Sequence, residues 1–142
     1  MQLLLNVLTW IVKYWSAVIK RLDSIPADIK RLDDVDNYKD WSDQVKTYLT
    51  DQQLWDIVEG TNEPPKAEND EAAFEACFEK NALAFRVIVF LCGYRLRFAI
   101  WGITSAKIAW DTLAAIFKLS KRNYMGMYLS LKSTSSNIFN VR

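Results

Sequence analysis

Apolar residues recur along the chain at steps of three and four, and the breaks in that rhythm divide it into helices. Leu4, Leu8, Ile11, Trp15, Val18 and Leu22 trace the first stripe, with Asn6, Thr9, Lys13 and Lys20 on another face. This spacing predicts an amphipathic helix over residues 1–22. Asp23 to Asp36 reads as a polar connector containing Pro26, with Ile29 and Leu32 enough for one short helical turn. A second helix is expected from Asn37, a favoured N-cap, with Asp40 in its first turn and Trp41, Val45, Tyr48 and Leu49 on its apolar face. Leu54, Trp55, Ile57 and Val58 form a short run that Gly60 ends, and Pro64 and Pro65 keep the next segment a loop.

The third strong pattern runs from Asn69 to Leu91, with Phe74, Phe78, Ala82, Phe85 and Val89 as its expected buried stripe, Cys77 and Val87 or Ile88 beside it, and Gly93 as its end. Arg95 to Trp101 adds a short helix. Thr104 or Ser105 then opens the last clear one, on which Ala106, Trp110, Leu113 and Phe117 share a face. Beyond Lys118 the periodicity fades, and Ser133 to Ser136 reads as unstructured. The expected fold is all-α, a compact bundle of about five helices. It divides into an N-terminal helix (1–22), a connector (23–36), a helical domain (37–118) and a weakly structured basic tail (119–142).

Composition sharpens this picture in two ways. Half of the 142 residues are hydrophobic (51%), so a packed core is within reach, and only four Gly and three Pro interrupt the helices. The near-balance of 18 basic and 17 acidic residues hides an asymmetry. Residues 1–80 hold nine basic and sixteen acidic side chains, whereas residues 81–142 hold nine basic and a single acid, Asp111. A basic second half attracts nucleic acid or an anionic membrane, or simply keeps that end solvated.

Candidate chemistry is sparse. The chain has no histidine, which removes the commonest general base and metal ligand, every His-dependent triad, and the zinc knuckle. It carries no glycine-rich phosphate loop. Asp33, Asp34 and Asp36 cluster without the small neighbours of a catalytic aspartate loop and read as a solvated connector. Cys77 and Cys92 fall in what reads as one helix, where fifteen residues separate them by roughly 22 Å, far beyond disulfide reach. Reduced, buried thiols and a cytoplasmic or nuclear setting follow. No catalytic residue, cofactor, metal or small-molecule substrate is expected. Tyr38, Trp41, Tyr48 and Trp55 lie in the acidic half, so they read as core rather than as a base-stacking platform. The first helix lacks positive charge ahead of its apolar run, unlike a secretory signal, and places Lys13 at its centre, unlike a typical span. Contact with its own domain, a second copy or a membrane surface all stay open for it.

Several of these pieces, in order, resemble a known family. Asn37, Tyr38 and Trp41, followed by Val45, Tyr48 and Leu49, form an N-Y-x-x-W element leading into a helix, and Leu54, Trp55 and Val58 form an L-W-x-x-V element. Lys80 to Ala84 and the A-x-x-x-W-x-x-L helix of Ala106, Trp110 and Leu113 follow. Over Lys30 to Lys118 the chain is similar to the N-terminal Gag region of copia-type LTR retrotransposons, of plant type. The resemblance implies a capsid-like helical domain that self-associates around element RNA and has no catalytic activity of its own. It assigns Tyr38, Trp41, Leu49, Leu54, Trp55, Val58, Trp110 and Leu113 to a fold-defining core. Departures are Cys77 or Phe78 where many relatives have Trp, the N-terminal helix, which has no counterpart, and a domain that reads as a truncated or captured copy.

The expected function is therefore that of a Gag-like structural protein acting by helix-mediated self-association. Leu4, Leu8, Ile11, Trp15 and Val18 are its candidate contact, and Arg86, Arg95, Arg97, Lys121 and Arg122 are candidate RNA contacts. The alternative is a peripheral membrane, RNA-binding or adaptor module that uses the first helix or the basic half.

Overall fold

A computed structural model describes residues 1–61, 65, 66 and 68–139, with side chains as far as residue 122. Among these residues there are six helices and no strand: α1 (Gln2–Asp23), α2 (Val35–Asp51), α3 (Trp55–Glu59), α4 (Glu71–Phe90), α5 (Tyr94–Ala99) and α6 (Ala106–Phe139). The all-α expectation therefore holds, the two shortest helices lifting the number above five.

Local chemistry sets the boundaries. The carboxylate of Asp34 accepts from the backbone N–H groups of Asp36 (2.9 Å) and Asn37 (3.3 Å), while the side-chain oxygen of Asn37 accepts from Asp34 N–H (3.3 Å). This is a capping box, with Asp34 as the cap and Asn37, the third residue of the helix, as its partner, so α2 starts two residues before the expected Asn37. Asp70 caps α4 through Ala73 N–H (3.1 Å), and Gly60 ends α3 with φ +74°, a left-handed conformation that favours glycine. Ser105 Oγ accepts from Ile108 N–H at the start of α6. Asn81 reinforces that end from α4: its amide donates to Thr104 O (2.9 Å) and its oxygen accepts from Ala106 N–H (2.8 Å).

The connector departs from expectation. Ile29 N–H reaches only Pro26 O, and Leu32 is extended rather than helical. It forms an isolated parallel bridge with Cys92, in which Leu32 N–H donates to Leu91 O and Gly93 N–H to Leu32 O, both at 2.8 Å. Cys92 thus lies past α4, not within the helix that holds Cys77. Leu32 itself is fully buried, so the connector supplies a core residue.

The core gathers Trp41, Val45, Tyr48 and Leu49 of α2, Leu54 and Val58 around α3, Ala84, Val87 and Ile88 of α4, and Ala106, Ala109, Leu113 and Phe117 of α6. On α4 the buried face is not the expected one. Phe74 and Phe78 are 38% and 55% exposed, while Ala84, Val87 and Ile88 are buried. The second half of α4 is apolar on several sides, so periodicity alone does not choose a face, and its packing against α1, α3 and α6 does. The last helix also departs from expectation. Instead of ending near Lys118, α6 runs on to Phe139, through the serine cluster expected to be unstructured.

Candidate association surfaces

The family-signature residues converge on one aromatic ladder. Phe117 of α6 stacks on Tyr38 (centroids 4.7 Å apart), which neighbours Trp41 (6.2 Å); Trp41 stacks on Trp110 (5.5 Å), which meets Trp55 edge-on (5.2 Å). The Trp41 indole N–H donates to Leu91 O at 2.9 Å, satisfying its one polar atom. Tyr38 and Trp55 pack half-buried against the core, and Lys46 lies over the Trp55 ring at 4.9 Å. Leu49, Leu54, Val58 and Leu113 are buried. These eight residues lie in or against the core.

Two titratable groups in and beside this core are shifted, chiefly by burial. Burial raises the Tyr38 hydroxyl, with the Asp111 carboxylate adding to the shift. Burial pushes the Cys92 thiol up to about 12, only partly offset by the Arg97 guanidinium, so the thiolate is suppressed. Among the described residues no group of three or more acidic or sulfur side chains is arranged to hold a metal.

Among the described residues, exposed large apolar side chains are densest in two stretches. The first is α1. Of the expected contact stripe, Leu4 (68%), Leu8 (50%), Ile11 (37%) and Trp15 (46%) are exposed, whereas Val18 is 2% exposed and is shielded from any partner. Val18 points inward because the second half of α1 docks on α4. Arg86 lies over the Trp15 ring at 5.5 Å, and Trp10, Lys13, Tyr14 and Ala17 face Glu79 and Leu83 across a narrow cleft. Below it, Tyr48 Oη donates to Arg21 O (2.6 Å), and Arg21 bonds the Gln52 side chain. By length and composition α1 is also long and apolar enough to cross a membrane, despite Lys13.

The second surface lies on and after α5. Tyr94 is 75% exposed, Phe98 64% and Trp101 84%, and the rings of Tyr94 and Phe98 meet edge-on at 5.3 Å. Sequence reading marked the helix but passed over these side chains. Their spacing of four and three was the available signal; Leu96 and Ile100 turn inward and leave the aromatics outside.

The candidate RNA contacts are not gathered into one patch. Arg86 of α4 is engaged with Trp15, and Arg97 of α5 donates from Nε to Cys92 O (3.3 Å). Arg95 borders an open cleft of about 390 Å³ that it shares with Asp33 and Asp34, while Lys121 and Arg122 are exposed on α6 beyond the last core residue. Two of the five are thus committed within the chain and a third faces carboxylates.

A family model described as a domain of unknown function, DUF4219, matches residues 32–59. The match begins at the bridging Leu32 and ends with α3, so it takes in α2 and three members of the aromatic ladder. No curated protein and no solved structure matches the chain.

Proposed function

We propose that this chain is a non-enzymatic, Gag-like helical module of retrotransposon origin that works by self-association. The observation that carries the reading is the coincidence of the matched segment with the signature aromatics. Residues 32–59 contain Tyr38, Trp41 and Trp55, and the domain that matches them is known in plant retrotransposon Gag-like proteins. The finer, copia-type assignment rests on the order of the four sequence elements. The absence of histidine and the suppressed Cys92 thiol support a structural rather than a chemical role.

Self-association needs exposed apolar surface, because burying it drives assembly. Tyr94, Phe98 and Trp101 form the surface best suited to another copy: a few large aromatics, rigid and prominent, of the kind that dominates protein interfaces. Lys121 and Arg122, the candidate cations exposed on α6, would then face RNA in an assembly, and the module would act in the cytoplasm or nucleus.

Light scattering behind size exclusion, over a range of concentrations, tests this. The full chain is expected to grow with concentration, and Phe98→Ser/Trp101→Ser to remain monomeric. A monomer at every concentration in the unaltered chain overturns the reading. Growth that persists in the double variant moves the contact away from α5.

A further inference from the structure

The outer face of α1 is more apolar than a helix–helix contact requires. Gln2, Asn6, Thr9, Lys13, Ser16 and Lys20 follow one another at steps of four and three, so they line a single polar stripe about 80° wide at about 100° per residue. Nearly everything else as far as Ile19 is apolar or aromatic. The body of the protein occupies the side of Tyr14, Ala17 and Val18. Leu4, Leu8, Ile11, Val12, Trp15 and Ile19 occupy the sector between the body and the polar stripe and are all exposed, Val12 to 65% and Ile19 to 56%. The polar stripe, with Lys13 and Lys20, borders this free face.

We infer that α1 lies flat on an anionic phospholipid membrane, its free face sunk among the acyl chains and its polar stripe at the headgroups. Three observations choose this occupant. A paired helix covers one narrow seam, whereas this face is roughly 100° wide and is continued by Leu3 and Val7, exposed to 82% and 54% on another side. The charge is one-signed: α1 carries Lys13, Lys20 and Arg21 and no acid before Asp23, and Arg86 adds a cation beside Trp15. Trp15, 46% exposed on the free face, adds an amphipathic ring of the kind that suits a membrane–water interface. Length and hydropathy would also allow α1 to span a bilayer, but α4 packs along its second half, which lipid therefore cannot surround.

The test uses the full chain and preformed vesicles of phosphatidylcholine, with or without phosphatidylserine. It is expected to float with the anionic vesicles, less with the neutral ones, and to be stripped by an alkaline carbonate wash. Leu8→Asp/Ile11→Asp is expected to lower the bound fraction at least about ten-fold, because two charges enter the lipid-facing side. Both residues are exposed, so helicity and the thermal transition should be unchanged. Phe98→Ser/Trp101→Ser should float like the unaltered chain, which separates this inference from the self-association reading. The inference is overturned if neither vesicle carries the protein or if the wash leaves it in place. It is equally overturned if Leu8→Asp/Ile11→Asp still floats, or if that variant breaks an oligomer formed without lipid, which would give the face to a second copy.

Discussion

Trp41 joins three parts of the core through one side chain. Its ring stacks on Trp110 of α6, lies beside Tyr38 one turn earlier, and sends its N–H to Leu91 O at the end of α4. Truncation to Ala removes all three links and is expected to cost about 3–5 kcal/mol. Trp41→Phe keeps an aromatic ring but loses the donor, and about 1–3 kcal/mol is expected. Urea unfolding should rank unaltered chain, Phe and Ala in that order; equal stability of the Phe variant would mean that the hydrogen bond contributes nothing. Cys92 makes a second residue-scale case. Its thiol is raised from 9.0 to about 12 in the fold, chiefly by burial, so between those values the unfolded chain releases a proton that the folded chain keeps. Stability contributed by Cys92 is therefore complete below pH 9 and declines as pH rises through that window. Cys92→Ala should show a shallower loss of stability between pH 9 and pH 11, read from denaturant midpoints. Parallel curves would place the thiol in contact with solvent.

The helices were legible in the sequence where one face alone is apolar, and less so where the pattern is symmetrical or the chemistry unusual. Trp41, Val45, Tyr48 and Leu49 on α2, and Ala106, Leu113 and Phe117 on α6, are buried as their spacing requires. On α4, Ala84, Val87 and Ile88 compete with Phe85 and Val89 for the core, and only the neighbours decide between them. The bridge between Leu32 and Cys92 has no periodic signal, since it pairs two single residues sixty positions apart. Gly93 belongs to it: a Cβ there would meet Leu32 O at 2.7 Å and crowd the Asp33 carboxylate, so the close approach needs glycine. The start of α2 was misplaced because its capping box uses Asp34 and Asn37 rather than the usual hydroxyl and Glu pair. Asp34→Ala is expected to cost about 1 kcal/mol in thermal or urea unfolding. Asp36→Ala, whose side chain makes no cap bond, should cost less. A larger effect at Asp36 would mean that helix-end charge, not the cap, holds this end.

For the whole molecule, the exposed surfaces were harder to read than the core, because exposure depends on which elements pack and not on residue type. Phe98 and Trp101 look like core residues in sequence, yet lie outside. α1 is the clearest instance: its one buried residue, Val18, stands apart from the main core cluster, and its contacts are with α4 and, through Tyr48 and Gln52, with the C-terminal end of α2. A helix held by so little should open on its own, at a free energy below that of global unfolding. Burial of a Val side chain stabilises by about 1.5–3 kcal/mol, so Val18→Asp should release α1 while leaving the ladder of Tyr38, Trp41, Trp110 and Phe117 intact. Hydrogen exchange followed by mass spectrometry would see it directly. Amides of Gln2–Asp23 should lose protection by roughly ten- to a hundred-fold, while those of α2 and α4 keep theirs, because a loss of about 1.5–3 kcal/mol confined to one element raises only that element's opening. Equal loss in α2 and α4 would show instead that α1 is a structural member of the core, and that its outer face cannot move without the rest of the fold.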